Sequence, residues 1–228
     1  MRDNICTIPV TDVFENNDGC PICKMYATVE EHIIDYIMGA AMMEPDIRIK
    51  TNDIGFCTNH YRKMLNKRGR LQLALMLESH IKEKNKEIFK KVPFNTYSKK
   101  SDSVRRLSDS CFVCEKINWG MDRMIETIYR CYETEKDFRD MFDSQNFFCL
   151  PHYQMLIDRY NKKSMKKYGS EFLASIDKIV SNNINELCEK MTNYCKKYSY
   201  DSDESNCDWD NCKNAVEDTI EFLNGIID

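Results

Sequence analysis

Eight side chains in this sequence form two ordered sets with the chemistry of a metal site. The first set is Cys20 and Cys23 followed by Cys57 and His60; the second is Cys111 and Cys114 followed by Cys149 and His152. In each, a Cys-x-x-Cys pair precedes a distant Cys-x-x-His pair flanked by Phe56 and Tyr61, or by Phe148 and Tyr153. Three thiolates and an imidazole are the ligand set of a closed tetrahedral zinc site. A two-residue gap lets both groups of a pair turn toward one point. A helix starting there lowers the thiol pKa through the positive end of its dipole. The spacing predicts two structural zinc ions, one per set, each joining the N-termini of two helices. Pairing across the sets, giving one all-cysteine site and one of two cysteines and two histidines, also fits the spacing.

Other uses of these thiols are weaker. Cys20-Pro21-Ile22-Cys23 looks like an oxidoreductase motif, but that chemistry wants a βαβ context that the sequence lacks. An iron–sulfur cluster is a third reading, less favoured than zinc. Ordinary core thiols fit single positions and not a matched set of eight. Of the twelve cysteines, Cys6, Cys131, Cys188, Cys195, Cys207 and Cys212 have no counterpart in the other set. Cys131 and Cys188 are expected on buried stripes, while Cys207 and Cys212 flank Trp209 as a minority ligand or disulfide reading. His32 and His80 read as ordinary helix residues. A four-ligand site leaves no open position for substrate, so no catalytic residue is assigned and the reading leans away from an enzyme.

The elements that must carry these residues are themselves repeated. At an offset of 91, Cys20, Cys23, Glu44, Asp46 and Arg48 fall on Cys111, Cys114, Glu135, Asp137 and Arg139; at 92, Phe56, Cys57, His60 and Tyr61 fall on their second copies. After each Cys-x-x-Cys the apolar residues step by three and four: Tyr26, Val29, Ile33 and Ile37, then Ile117, Met121, Met124 and Ile128. A short connector leads to a second helix near 58–68 or 150–167, interrupted around Gly69 or Gly169. A third covers 70–92 or 170–198, the latter with a seam of Val180, Ile184, Leu187, Met191, Tyr194 and Tyr198. The expected fold is all-α: two pseudo-repeated three-helix units, each with a site of three cysteines and one histidine, plus a C-terminal helix. Residues 1–92 form the first unit, 93–110 a Ser/Lys-rich linker, and 111–228 the second unit with the closing helix. That helix carries Val216, Ile220, Leu223 and Ile227 as its apolar stripe, Asp210 as N-cap and Gly225 as a frayed end. Asp46/Arg48 and Asp137/Arg139 read as structural pairs or caps.

Composition sets the class. The 228 residues are 42% hydrophobic and 31% charged with seven glycines and five prolines, a helix-favouring globular balance. No run approaches the ~18 apolar residues of a membrane span, and the N-terminus has no signal-peptide core. A cytoplasmic, membrane-free protein is expected, in which closely spaced cysteines bind metal rather than form disulfides. The net charge of −4 argues against an obligate nucleic-acid binder. Basic clusters (Arg62, Lys63, Lys67, Arg68, Arg70; Arg159, Lys162, Lys163, Lys166, Lys167) keep nucleic acid as a minority alternative, although they also offset helix C-terminal dipoles. An unidentified protein partner suits an interaction module.

The combination of Cys20-Pro21-Ile22-Cys23, Gly55-Phe56-Cys57 with His60, Cys111 with Cys114, Phe148-Cys149 with His152, and Trp209 before the last helix resembles a family of uncharacterised bacterial proteins. The resemblance covers most of the chain and implies its extent and ligand choice without an activity. Phe147 stands where the first copy has Gly55, and Cys207 and Cys212 are additions.

Overall fold

The computed structural model describes residues 8–89, 96–161, 163, 165–198 and 209–225. Among them the chain is all-α, without strands: α1 (Ile8–Phe14), α2 (Pro21–Met38), α3 (Pro45–Ile54), α4 (Thr58–Asn66), α5 (Arg70–Phe89), α6 (Thr96–Asp109), α7 (Phe112–Thr134), α8 (Lys136–Asp143), α9 (Leu150–Asp158), α10 (Gly169–Lys197), α11 (Trp209–Cys212) and α12 (Ala215–Asn224). A 3-10 turn, Ala40–Met43, separates α2 from α3. No described helix is long and apolar enough to cross a membrane.

The copies match in local geometry. Cys57 and Cys149 are N-caps in extended conformation (φ −74° and −69°), so His60 and His152 fall in the first turns of α4 and α9. Glu44 and Glu135 likewise precede α3 and α8, with Asp46 and Asp137 in the first turns, where carboxylates favour the helix dipole. The arginines two positions on bond carbonyls: Arg48 Nη2 donates to Leu75 O (2.8 Å), and Arg139 Nη1 to Tyr132 O (2.8 Å). The connector expected before each Cys-x-x-His is therefore a helix, α3 or α8. α9 stops at Asp158, short of the expected 167, because the Glu133 carboxylate accepts the backbone N–H groups of Lys166, Lys167 and Tyr168 (2.8–3.1 Å), fixing a bend before α10.

The chain divides into two compact units, and they do not follow chain order. A split unit comprises Met1–Tyr26 with Asp122–Asp228; a continuous unit comprises Ala27–Met121. The division expected from sequence, 1–92 and 111–228 about a 93–110 linker, differs because each unit takes its Cys-x-x-Cys from one copy and its Cys-x-x-His from the other. Within the linker, Thr96–Asp109 is helix α6; residues 93–95 lie outside the described residues.

The split unit is built on aromatic packing. Phe14, Phe138, Phe142, Phe148 and Phe172 are fully buried with Tyr129 and Tyr132. Ring centroids lie 4.9 Å apart for Phe142/Phe172, 5.1 Å for Tyr132/Phe172 and 5.2 Å for Phe14/Phe138. Each buried aromatic contributes about 1.5–3 kcal/mol by leaving water. On α10, Val180 and Leu187 of the expected seam are buried, but Phe172, Ile176 and Ile179 complete the buried face while Ile184 and Tyr198 are exposed. On α12 the buried side chains are Ala215 and Phe222, whereas Ile220 and Leu223 are exposed. Phe222 packs edge-on to Phe147 (6.2 Å) and turns the helix by that contact. Asn214, rather than Asp210, precedes α12. Ile227 lies outside the described residues.

The core of the continuous unit is mainly aliphatic, with Ile34, Ile37, Met42, Met64, Leu73, Met76, Val113, Ile117 and Met121 buried beside two phenylalanines, Phe56 and Phe112. Polar ties hold α3 to α5: besides Arg48, Ser79 Oγ donates to Asn52 Oδ1 (2.7 Å) and His80 Nδ1 bonds Asn52 O (2.8 Å).

Candidate metal centres

Each unit contains one cluster of three thiols and an imidazole, whose ligand atoms lie within 4.8 Å of one another: Cys20, Cys23, Cys149 and His152 in the split unit, Cys57, His60, Cys111 and Cys114 in the continuous unit. All eight sequence-derived residues thus come together in sets of three cysteines and one histidine. The composition expected for each set holds, but the expected pairing within a copy does not. The first Cys-x-x-Cys meets the second Cys-x-x-His, and the second Cys-x-x-Cys meets the first Cys-x-x-His.

At 1.5 Å per residue α2 is about 27 Å long and α3 about 15 Å. In the crossed arrangement the first Cys-x-x-His meets α2 midway, at Glu30, where His60 Nε2 lies 2.9 Å from Oε1. Chain entropy opposes this little. Closing the 126 residues between Cys23 and Cys149, rather than the roughly 34 between Cys23 and Cys57, costs only about 1 kcal/mol more.

The separations are those of a small cation's coordination shell. A tetrahedral zinc ion, with Zn–S near ~2.3 Å and Zn–N near ~2.0 Å, sets ligand edges of about 3.8 Å (S–S) and about 3.5 Å (S–N). In the split unit His152 Nδ1 is 3.0, 3.2 and 3.6 Å from the sulfurs of Cys149, Cys23 and Cys20, and Cys23 Sγ is 3.6 Å from Cys149 Sγ. In the continuous unit His60 Nδ1 is 3.1, 3.2 and 3.5 Å from Cys57, Cys111 and Cys114, with 4.0 Å between Cys57 Sγ and Cys114 Sγ. The donor sets fit such an ion.

Proton affinities make the same point. Burial pushes Cys20 up, but hydrogen bonds with Cys149, Cys23 and His152 outweigh it and draw that thiol well below its ordinary range. Hydrogen bonds with Cys20 and Cys23, together with burial, hold Cys149 far above it. In the continuous unit, burial raises Cys57, but bonds from the His60 backbone N–H and from Cys111 prevail and lower it; burial and the neighbouring Cys111 push Cys114 up to about 12. Burial lowers His60 against the pull of Glu30, favouring the neutral imidazole that ligates metal. In each cluster one thiol is drawn toward ionisation while a neighbour holds its proton more tightly, a split that a bound cation would offset.

The surroundings differ. All four residues of the split-unit cluster are buried, whereas Cys57 and Cys114 are partly exposed. Phe148 is fully buried and Phe56 nearly so, the latter 5.5 Å edge-on to Tyr61. Tyr153 instead donates to Asp177 Oδ1 (2.8 Å). Two glycines that look incidental in sequence have local roles. Gly55 (φ +72°) ends α3 and offers its carbonyl to the N–H of Phe112 (2.9 Å), holding the second Cys-x-x-Cys against the first Cys-x-x-His. Gly225 (φ +82°) is buried rather than frayed, and a Cβ there would lie 3.6 Å from Cys23 Sγ and 3.7 Å from Cys149 Sγ. Sequence reading also missed Glu30, although a carboxylate four residues from both Tyr26 and Ile34 on an apolar face was a visible signal.

Of the other cysteines, Cys131 and Cys212 are buried, while Cys188 is exposed rather than core because α10 turns Leu187 inward. Cys6 and Cys207 lie outside the described residues. Three of the ten residues in the basic clusters are paired in place: Lys63 with Glu30, Lys67 with Glu31 and Asp35, and Arg159 with Asp122. Lys162 lies outside the described residues.

No curated protein and no solved structure matches the chain. Residues 1–228 match the model of a family of unknown function, DUF6062, and the chain belongs to that family.

Proposed function

We propose that this is a cytoplasmic zinc-binding protein whose two sites, Cys20/Cys23/Cys149/His152 and Cys57/His60/Cys111/Cys114, are structural, and that it serves as an interaction or structural module. The observation that carries this reading is the pair of clusters whose four ligand atoms lie within 4.8 Å of one another, each from two helix N-termini. Zinc suits the set because it tolerates mixed thiolate and imidazole ligands in a tetrahedron and has no redox chemistry of its own. Thiolate sites of this kind call for a reducing compartment, which favours the cytoplasm. Four protein ligands leave no position for substrate, so the metal serves the fold. Exposed apolar residues on α5, Leu71, Ile81 and Phe89, support a protein partner over nucleic acid.

Metal analysis of anaerobically purified protein tests the proposal. Two zinc ions per chain are expected, and one in Cys57→Ser. Iron with a visible charge-transfer spectrum, or two ions retained by Cys57→Ser with unchanged melting, contradicts it.

A further inference from the structure

The continuous-unit site has an outer layer. His60 turns Nδ1 toward the three sulfurs and Nε2 toward Glu30 Oε1 at 2.9 Å, while Glu30 Oε2 accepts Lys63 Nζ at 2.9 Å. Glu30 and His60 are both buried; Lys63 is partly exposed. The split-unit site differs at this point. Among the described residues His152 Nε2 has no hydrogen-bond partner. In the register of the two copies the position of Glu30 is held by Met121 and that of Lys63 by Met155. Both members of the pair are present in one copy and both are methionine in the other, as expected if they work together.

We infer that Glu30, paired with Lys63, is a positioning residue that orients His60 for metal and gives the continuous-unit site its affinity. The inference rests on the zinc reading above and adds two residues to it. A metal on Nδ1 leaves the proton on Nε2, where only an acceptor satisfies it. The Glu30 carboxylate does so, fixes the ring plane and increases the electron density at Nδ1. Three thiolates around a divalent ion carry a net negative charge, and a second buried anion beside them is costly unless paired. Lys63 supplies that pairing and leaves the carboxylate free to accept from His60. The arrangement also favours the partly exposed site, whose thiols are the more open to competing chelators.

The test loads the full chain with cadmium-113 and follows each site's resonance during chelator competition. Glu30→Gln keeps the shape of the side chain and removes its charge. The continuous-unit site is expected to weaken by about 10- to 100-fold while the split-unit site, an internal reference, stays unchanged. The Nε2–H proton of His60 is expected far downfield in the parent protein and shifted upfield in the variant, a change that loss of packing alone does not produce. Glu30→Met with Lys63→Met, the residues of the other copy, is the second variant and is expected to match Glu30→Gln in affinity. Unchanged affinity at the continuous-unit site in both variants overturns this inference and leaves the zinc reading standing. Absence of metal from both sites of the parent protein overturns both.

Discussion

The two units each bring together three thiols and an imidazole, from opposite resources. The split unit combines its cluster with an aromatic core of five buried phenylalanines and two buried tyrosines, and its C-terminal helix ends beside the sulfurs at Gly225. The continuous unit has fewer buried aromatics, leaves Cys57 and Cys114 partly exposed, and adds a charged outer layer of Glu30 and Lys63. Identical ligand chemistry therefore does not imply identical dependence on metal. On the zinc reading proposed above, an ion in the split unit would add to an aromatic core, and one in the continuous unit would make up for fewer buried aromatics.

Metal removal should separate the units most widely. Structural zinc contributes on the order of 10 kcal/mol to small domains. Stripping both ions should abolish amide-exchange protection across residues 27–121 and only reduce it across 122–187. Equal loss in both would remove the contrast. The converse perturbation is Phe172→Ala, expected to cost the split unit about 3–5 kcal/mol and to leave zinc on the continuous unit. Thermal melting with metal analysis reads both effects.

Acidity gives a smaller, graded difference. An ion entering either cluster would have to displace protons. The Cys114 thiol is pushed up to about 12 by burial and Cys111, and the Cys149 thiol is held above its ordinary range by hydrogen bonds with Cys20 and Cys23. Affinity at both sites should thus fall as pH falls, about tenfold per unit for each proton displaced. The buried split-unit ion should leave more slowly than the other at every pH in a stopped-flow chelation series. The smallest effect is expected of Gly225→Ala. Its Cβ meets only ordinary contacts at 3.6 and 3.7 Å, so the backbone at φ +82° and ψ −170°, a region open essentially to glycine alone, sets the cost at about 1–3 kcal/mol, confined to the split unit.

The ligand identities and the all-helical character were legible because they rest on residue type and local period. Cys57 and Cys149 as N-caps follow from their own neighbours. Which Cys-x-x-Cys meets which Cys-x-x-His was not legible, since it depends on contacts between distant groups such as Cys23 and Cys149, 126 residues apart. Periodicity also misassigned part of α12, where the aromatic contact of Phe147 with Phe222 outweighed the Ile220/Leu223 stripe. Glu30 was overlooked because its partner, His60, is 30 residues away and visible only once the helices pack.

The crossed pairing is the central claim, and cadmium-113-edited proton NMR tests it most directly, because each bound ion correlates only with the β-protons of its own cysteines. One ion is expected to correlate with Cys20, Cys23 and Cys149, and the other with Cys57, Cys111 and Cys114. An ion correlating with Cys20, Cys23 and Cys57 together would contradict the account.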